Sequence, residues 1–197
     1  MKATVAVLRA SLAVVVLTAV FGLAYPLLVS GFAQLGFAGK ANGSLIERQG
    51  QVVGSRLAAQ AFASPRYFHP RPSATAPPYN AGGTTFANLG PTNPGLAKSV
   101  RDRAQAILAL ERPYNPGLVI GDIPVDAVTT SASGIDPDIS PAYANLQAPR
   151  LASLRHLSIA RVRRLIAANT TGRSLGFFGE PGVNVLELNL ALDKEGQ

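Results

Sequence analysis

Between Thr129 and Pro141 the chain reads TTSASGIDPDISP, a run that sets serines 131, 133 and 140 beside Asp136 and Asp138. Three kinds of chemistry use those residue types. A nucleophilic serine needs a base within hydrogen-bonding reach and donors for an oxyanion. SASG, however, is not a G-x-S-x-G elbow, and the chain's two histidines, His69 and His156, are remote in sequence. A calcium loop would open with carboxylates spaced as Asp136 and Asp138 are, yet Pro137 lies between them and no glycine followed by a distant glutamate completes the ligand set. The third reading is a loop that holds a shape, with Asp136-Pro137 setting a turn and Ser140 capping a helix that starts at Pro141. On residue chemistry alone the shaped loop is favoured.

Other catalytic signatures are missing. The sequence holds no G-x-x-x-x-G-K-[ST] loop, no G-x-G-x-x-G and no H-E-x-x-H. Gly82-Gly83-Thr84-Thr85 is glycine-rich but opens no helix and lacks a lysine, so it is a poor phosphate cradle. With no cysteine the chain can form neither a disulfide nor a thiolate metal site, and two histidines leave zinc short of ligands, so no metal is expected. The net charge of +7 suits a phosphate backbone, an anionic lipid surface or an acidic partner.

The segment that must position everything else is the first. From Ala10 to Ala38 there is no charged side chain, and about 20 apolar residues suffice to cross a hydrocarbon core. Inside lipid that segment must be a helix, which Pro26 is expected to bend. A cleaved signal peptide is the rival, with Lys2 and Arg9 as its basic start and Gly22-Leu23-Ala24 as a small-x-small site. The apolar character continues through Leu27, Leu28, Val29 and Phe32, beyond a signal's usual length, so an uncleaved anchor is preferred. The expected organisation is a short cytoplasmic N-terminus (1–9), a transmembrane helix (10–38) and one extracytoplasmic domain (39–197).

Within that domain, SLIERQGQVVGS reads as a hairpin turning at Gln49-Gly50. Residues 64–95 are too rich in proline and glycine for a regular element, although Tyr67, Phe68, Tyr79 and Phe86 could anchor an ordered loop there. Asn93-Pro94 opens a helix lined by Leu96, Val100, Ala104, Ile107 and Leu108. VDAVTTSAS is expected to be extended. The helix begun at Ser140-Pro141 is expected to break or restart at Pro149, and Ser158 caps another that runs to Asn169 and stops at Thr171-Gly172. VNVLELNLAL reads as strand with a bulge near Val185-Leu186. Helices mixed with a few strands imply a mixed α/β (α+β) domain.

Residues 139–179 contain no acid but carry Arg150, Arg155, Arg161, Arg163, Arg164 and Arg173. Two helical segments joined by a short His-Leu-Ser turn there resemble a helix-turn-helix, which makes a membrane-anchored DNA-binding regulator the alternative reading. An extracytoplasmic domain never meets the chromosome, and that argues against it.

The ordered set YPLLVSGFAQ, ANGSLI, SPRYFHPRPSAT, PYNAGG, NLGPTNP, SASGIDPDISP, LQAPRLA and GRSLGFFGEPGVNVLELNLALD resembles the family of C subunits of the Kdp potassium-transporting ATPase, from about Leu12 to Asp193. The chain departs from the family pattern in GGTTFANL after Tyr79-Asn80, and in Asp138 where a histidine often follows Asp-Pro. The resemblance implies a non-catalytic accessory subunit of an ATP-driven, high-affinity potassium uptake pump in the cell inner membrane. Its partners would be a channel-like subunit that selects potassium and a P-type subunit that hydrolyses ATP, with no nucleic acid. It also implies a catalytic-chaperone role that raises the ATP affinity of the hydrolysing subunit, with Gln147 as a nucleotide contact and ATP otherwise not firmly bound. Tyr67, Phe68, Tyr79, Asn80, Ser133, Asp136, Phe177 and Phe178 are the candidates for docking on partners, or else core.

Overall fold

A computed structural model describes residues 2–195. The chain divides near Leu45 into an N-terminal helical unit and a larger α+β unit.

The first unit is a helical rod of 40 residues, assembled from α1 (Lys2–Ala19), a π-helical turn (Val20–Ala24) and α2 (Tyr25–Ala41). At 1.5 Å per residue such a rod is about 60 Å long, twice the roughly 30 Å of a hydrocarbon core. It is apolar enough to cross a membrane and none of it is buried within the protein. Proline has no N–H, so the ladder ahead of Pro26 must change register. It does so in the π turn, where the N–H of Tyr25 bonds the carbonyl of Val20. The disturbance expected at Pro26 is thus seen one turn earlier as a change of hydrogen-bond register, and a departure from helical φ/ψ lies at Phe37.

The second unit opens with the hairpin β1 (Leu45–Arg48) and β2 (Gln51–Ser55). Gln49 and Gly50 both have positive φ, as a two-residue turn of this kind needs. An irregular strap over residues 56–93 leads to α3 (Pro94–Glu111), which is capped by the Asn93 side chain and buries Ala104, Leu108 and Glu111. Next come a 3-10 turn (Ile120–Asp122), the four-residue helix α4 (Val125–Val128), β3 (Asp138–Ile139), α5 (Pro141–Arg155), α6 (Ile159–Ala168), β4 (Thr170–Thr171), β5 (Gly182–Asn184) and α7 (Val185–Lys194). β5 lies between β3 and β4 and is antiparallel to both, with Val183 opposite Ile139 and Thr170. Helices α5, α6 and α7 pack on this small sheet and on one another around Phe68, Ile139, Leu151, Val162, Val183, Leu188 and Leu192.

Three expectations about elements need correction. VNVLELNLAL is a short strand followed by a helix, because Asn184 accepts from the N–H of Glu187 and so caps α7. The buried Val185, Leu188, Asn189 and Leu192 have i, i+3, i+4, i+7 spacing, a helical period hidden beneath an apparent alternation. VDAV is helical rather than extended, starting directly after Pro124. α5 runs unbroken through Pro149. A proline inside a helix costs about 3 kcal/mol, and here the flanking Ala148, Arg150 and Leu151 are all buried, so tertiary packing holds the helix together. α6 ends at Ala168, with Asn169 as its C-cap and the following threonines in β4.

Gly134, in the loop ahead of β3, has φ +74, and a Cβ there would sit 2.6 Å from Thr75 Cγ2 and 2.8 Å from the Thr85 carbonyl oxygen. Gly134→Ala is expected to cost about 1–3 kcal/mol through strain and overpacking, read as a lowered thermal midpoint. Gly117→Ala meets no atom within 4 Å and should leave the midpoint unchanged.

Candidate functional site

The strap's problem is its backbone. Residues 67–69 turn into the interior, where Phe68 is fully buried and Tyr67 and His69 partly so, without a neighbouring strand to pair with. Side chains take the place of that strand. Asn189 on α7 accepts from the N–H of Phe68 at 2.8 Å and donates to its carbonyl at 3.0 Å. Gln147 on α5 does the same for His69, at 2.8 and 3.1 Å. Two primary amides thus imitate the edge of a β-ladder for two consecutive residues. Arg150, fully buried, donates through Nη1 to the carbonyls of Pro65 and Tyr67, through Nη2 to Gln147 and through Nε to Glu111 of α3 at 2.8 Å.

Burial pushes the Glu111 carboxyl up, and Arg150 opposes this with its charge and its hydrogen bond. His69 is held below the ordinary histidine value by burial and by the nearby Arg150 charge, so its ring is neutral and donates through Nε2 to the Ser64 carbonyl. The strap is fastened at its outer edge as well. Asp193 accepts from Tyr67 Oη, Arg48 and Arg155, and the Arg155 guanidinium lies 4.7 Å from the Tyr67 ring centroid.

A second set of contacts involves the 129–141 loop, and it answers what those serines and aspartates do. The Asp136 carboxylate binds Arg71 at 2.9 Å and accepts from the N–H of Asp138. Ser73 Oγ donates to the Gly134 carbonyl at 2.7 Å, while the Ser131 N–H reaches Pro72 and the Thr85 N–H reaches Ser133. Ser140 caps α5 and also donates to Asp126. Among the described residues no group of three or more His, Cys, Asp or Glu could hold a metal ion. Asp138 accepts from Asn184, and burial raises its pKa. The loop and the strap brace each other.

Between the strap, α3 and α5 lies a cavity of about 330 Å³ lined by Phe62, His69, Tyr79, Arg103, Ile107 and Tyr143, among others. Tyr79 donates its hydroxyl to the Arg71 carbonyl, and Arg103 donates to the Val128 carbonyl. Asn80 holds the turn at Gly82 by accepting from its N–H at 3.0 Å.

The structure therefore gathers Tyr67, Phe68, Tyr79, Asn80, Ser133 and Asp136 along one strap-and-loop seam, and sets Phe177 and Phe178 apart from it on an exposed turn. Phe68 is 0% exposed and belongs to the core, so it presents nothing to a partner. Gln147 is 1% exposed with both ends of its amide engaged, so a nucleotide could touch it only after the strap had moved. Sequence reading overlooked Asn189 and Glu111. A lone Asn in the apolar run LELNLAL was the available signal, because a polar residue on the buried face of a helix must have a partner. Of the six arginines in 139–179, Arg150, Arg155, Arg161 and Arg173 are paired within the chain. The helix-turn-helix reading finds no support.

A long apolar helix joined to a small α+β domain fits a single-span, membrane-anchored protein. The chain belongs to the family described as K+-transporting ATPase, C chain, whose match extends over residues 7–194. It is 54% identical over 183 residues to a potassium-transporting ATPase KdpC subunit of Burkholderia vietnamiensis, covering 90% of each chain. A KdpC subunit of Beijerinckia indica is 50% identical, with 93% of this chain and 91% of that one covered. One of Methylococcus capsulatus is 52% identical, with 93% and 95% covered. Potassium transport by a multi-chain complex is the setting of the family.

Two outcomes follow from the braces. Arg150→Met leaves Glu111 buried and the Pro65 and Tyr67 carbonyls without donors, and is expected to cost about 3–5 kcal/mol in denaturant unfolding. For His69 the folded value lies below the ordinary 6.5, so the folded state binds its proton less readily than the unfolded chain does. Stability is then fully present above that ordinary value and is lost as pH falls through it. The thermal midpoint should drop between about pH 7 and 5, and drop less in His69→Gln.

Proposed function

We infer that this chain is the non-catalytic accessory subunit of a high-affinity, ATP-driven potassium uptake pump, and that it stabilises the assembled complex. The observation that carries the reading is the family match, which covers both the apolar rod and the braced domain. Phosphoryl transfer and ion selection are assigned to partner chains, a P-type ATP-hydrolysing subunit and a channel-like potassium-selecting subunit. The sequence supports that division, since it contains no Asp-Lys-Thr-Gly phosphorylation motif and no Thr-Val-Gly-Tyr-Gly filter.

The proposed location is the inner membrane, with the N-terminus in the cytoplasm and the domain outside. What supports it is the basic pair Lys2 and Arg9 on the N-terminal side of the span. A catalytic-chaperone effect on the ATP affinity of the hydrolysing subunit belongs to the same proposal. Gln147 would contribute to it indirectly, by holding the strap in place, since a domain outside the membrane does not meet cytoplasmic ATP.

Alkaline phosphatase fused after Gln197 should be active in intact cells, and an active cytoplasmic reporter there would refute the orientation. Deleting the chain should abolish co-purification of a potassium-dependent ATPase; a complex of unchanged activity without it would refute the accessory role.

A further inference from the structure

The turn that follows β4 is built to project. Ser174 and Phe178 exchange both of their backbone hydrogen bonds at 2.9 Å. Leu175, Gly176 and Gly179 all have positive φ, and Arg173 clasps both oxygens of Glu180 at the base. At the tip stand Leu175, 83% exposed, Phe177, 64%, and Phe178, 58%, with the two rings 4.1 Å apart. Every residue from Thr171 to Glu180 is exposed, so no part of the domain covers these side chains. Solvent alone would not favour three large apolar groups on a fixed protrusion.

Two further facts narrow the occupant. No acid lies between residues 139 and 179, and the one acid of the turn, Glu180, is neutralised by Arg173, while Arg163 and Arg164 are exposed on the helix that runs directly into it. The same chain carries a membrane-length helix, and only Asn42, Gly43 and Ser44 separate its last residue from the first strand. A bilayer is therefore held near the domain by the covalent chain itself, and a contact too weak to recruit a free protein is then sufficient.

We propose that Leu175, Phe177 and Phe178 form a lipid-contacting finger that enters the interfacial layer of an anionic bilayer, with the surrounding arginines attracted to its headgroups. A convex tip of aromatic and branched aliphatic groups flanked by cations suits a fluid interface, which needs no complementary cleft. The proposal depends on the membrane anchor and does not depend on pump membership.

The chain contains no tryptophan, so Phe178→Trp places a single indole at the tip. The full-length variant is reconstituted in vesicles of phosphatidylcholine and phosphatidylglycerol, with and without lipids brominated near the headgroup end of the acyl chain. Flotation with the vesicles reports the anchor separately. Brominated lipid should lower the emission about twofold or more, less so when phosphatidylglycerol is omitted or when Leu175→Ser and Phe177→Ser are added. Emission indifferent to bromine in vesicles that carry the chain would overturn the proposal. So would an indole that is untouched by bromine but becomes shielded from aqueous acrylamide once co-purifying pump subunits are reconstituted with it, since the occupant would then be protein.

Discussion

The domain depends on one constraint, that a backbone segment taken into the interior must find partners for its N–H and C=O groups. Residues 67–69 enter the interior beside no strand, so no ladder serves their backbone, and Phe68, fully buried, is beyond the reach of water. The partners come from three side chains on two helices, Gln147 and Arg150 of α5 and Asn189 of α7. These helices also carry much of the apolar core, including Leu151, Leu188 and Leu192. Hydrophobic packing thus brings the helices together, and the position they reach is the one at which an amide can span both polar groups of a residue in the strap. Each orphaned group would cost about 1–3 kcal/mol, so the strap cannot shift by one residue without a penalty comparable to a large fraction of a domain's net stability.

This arrangement also gives the seam's chemically capable side chains structural partners. Serine, aspartate, histidine and glutamine occur in the seam, but their atoms are committed to neighbours: Asp136 to Arg71, Ser73 to Gly134, His69 to Ser64 and Gln147 to His69. A group that is to act on a substrate must have a free lone pair or proton facing it. Rigid support is what this seam supplies.

The legibility of the sequence follows the range of the interactions. Caps and turns are local, and Asn93-Pro94, Ser140-Pro141, Ser158 and Gln49-Gly50 mark their elements correctly because each acts within three residues of itself. The apolar rod is equally local. α7 was hidden because Val183, Val185, Leu186 and Leu188 fit two periods at once, and the choice between them rests on packing against α6 as well as on the cap at Asn184. The braces could not be read at all. Arg150 resembles any other arginine of a basic stretch, and Glu111, its partner, is 39 residues away on α3. The family resemblance located the protein among its relatives, but not the atoms that hold the strap.

The Arg150–Glu111 pair raises a question of purpose. Removing two charges from water often costs as much as their attraction returns, and apolar residues of similar volume can serve stability equally well. Here Glu111 Oε2 has no hydrogen-bond partner, so the carboxylate itself is imperfectly compensated. What an apolar substitute could not supply is the set of donors that Arg150 directs at Pro65, Tyr67 and Gln147 together. Glu111 fixes the guanidinium plane from α3, and that plane fixes the path of the strap between α3 and α5. The pair is therefore better understood as directing one path of the strap than as a source of net stability.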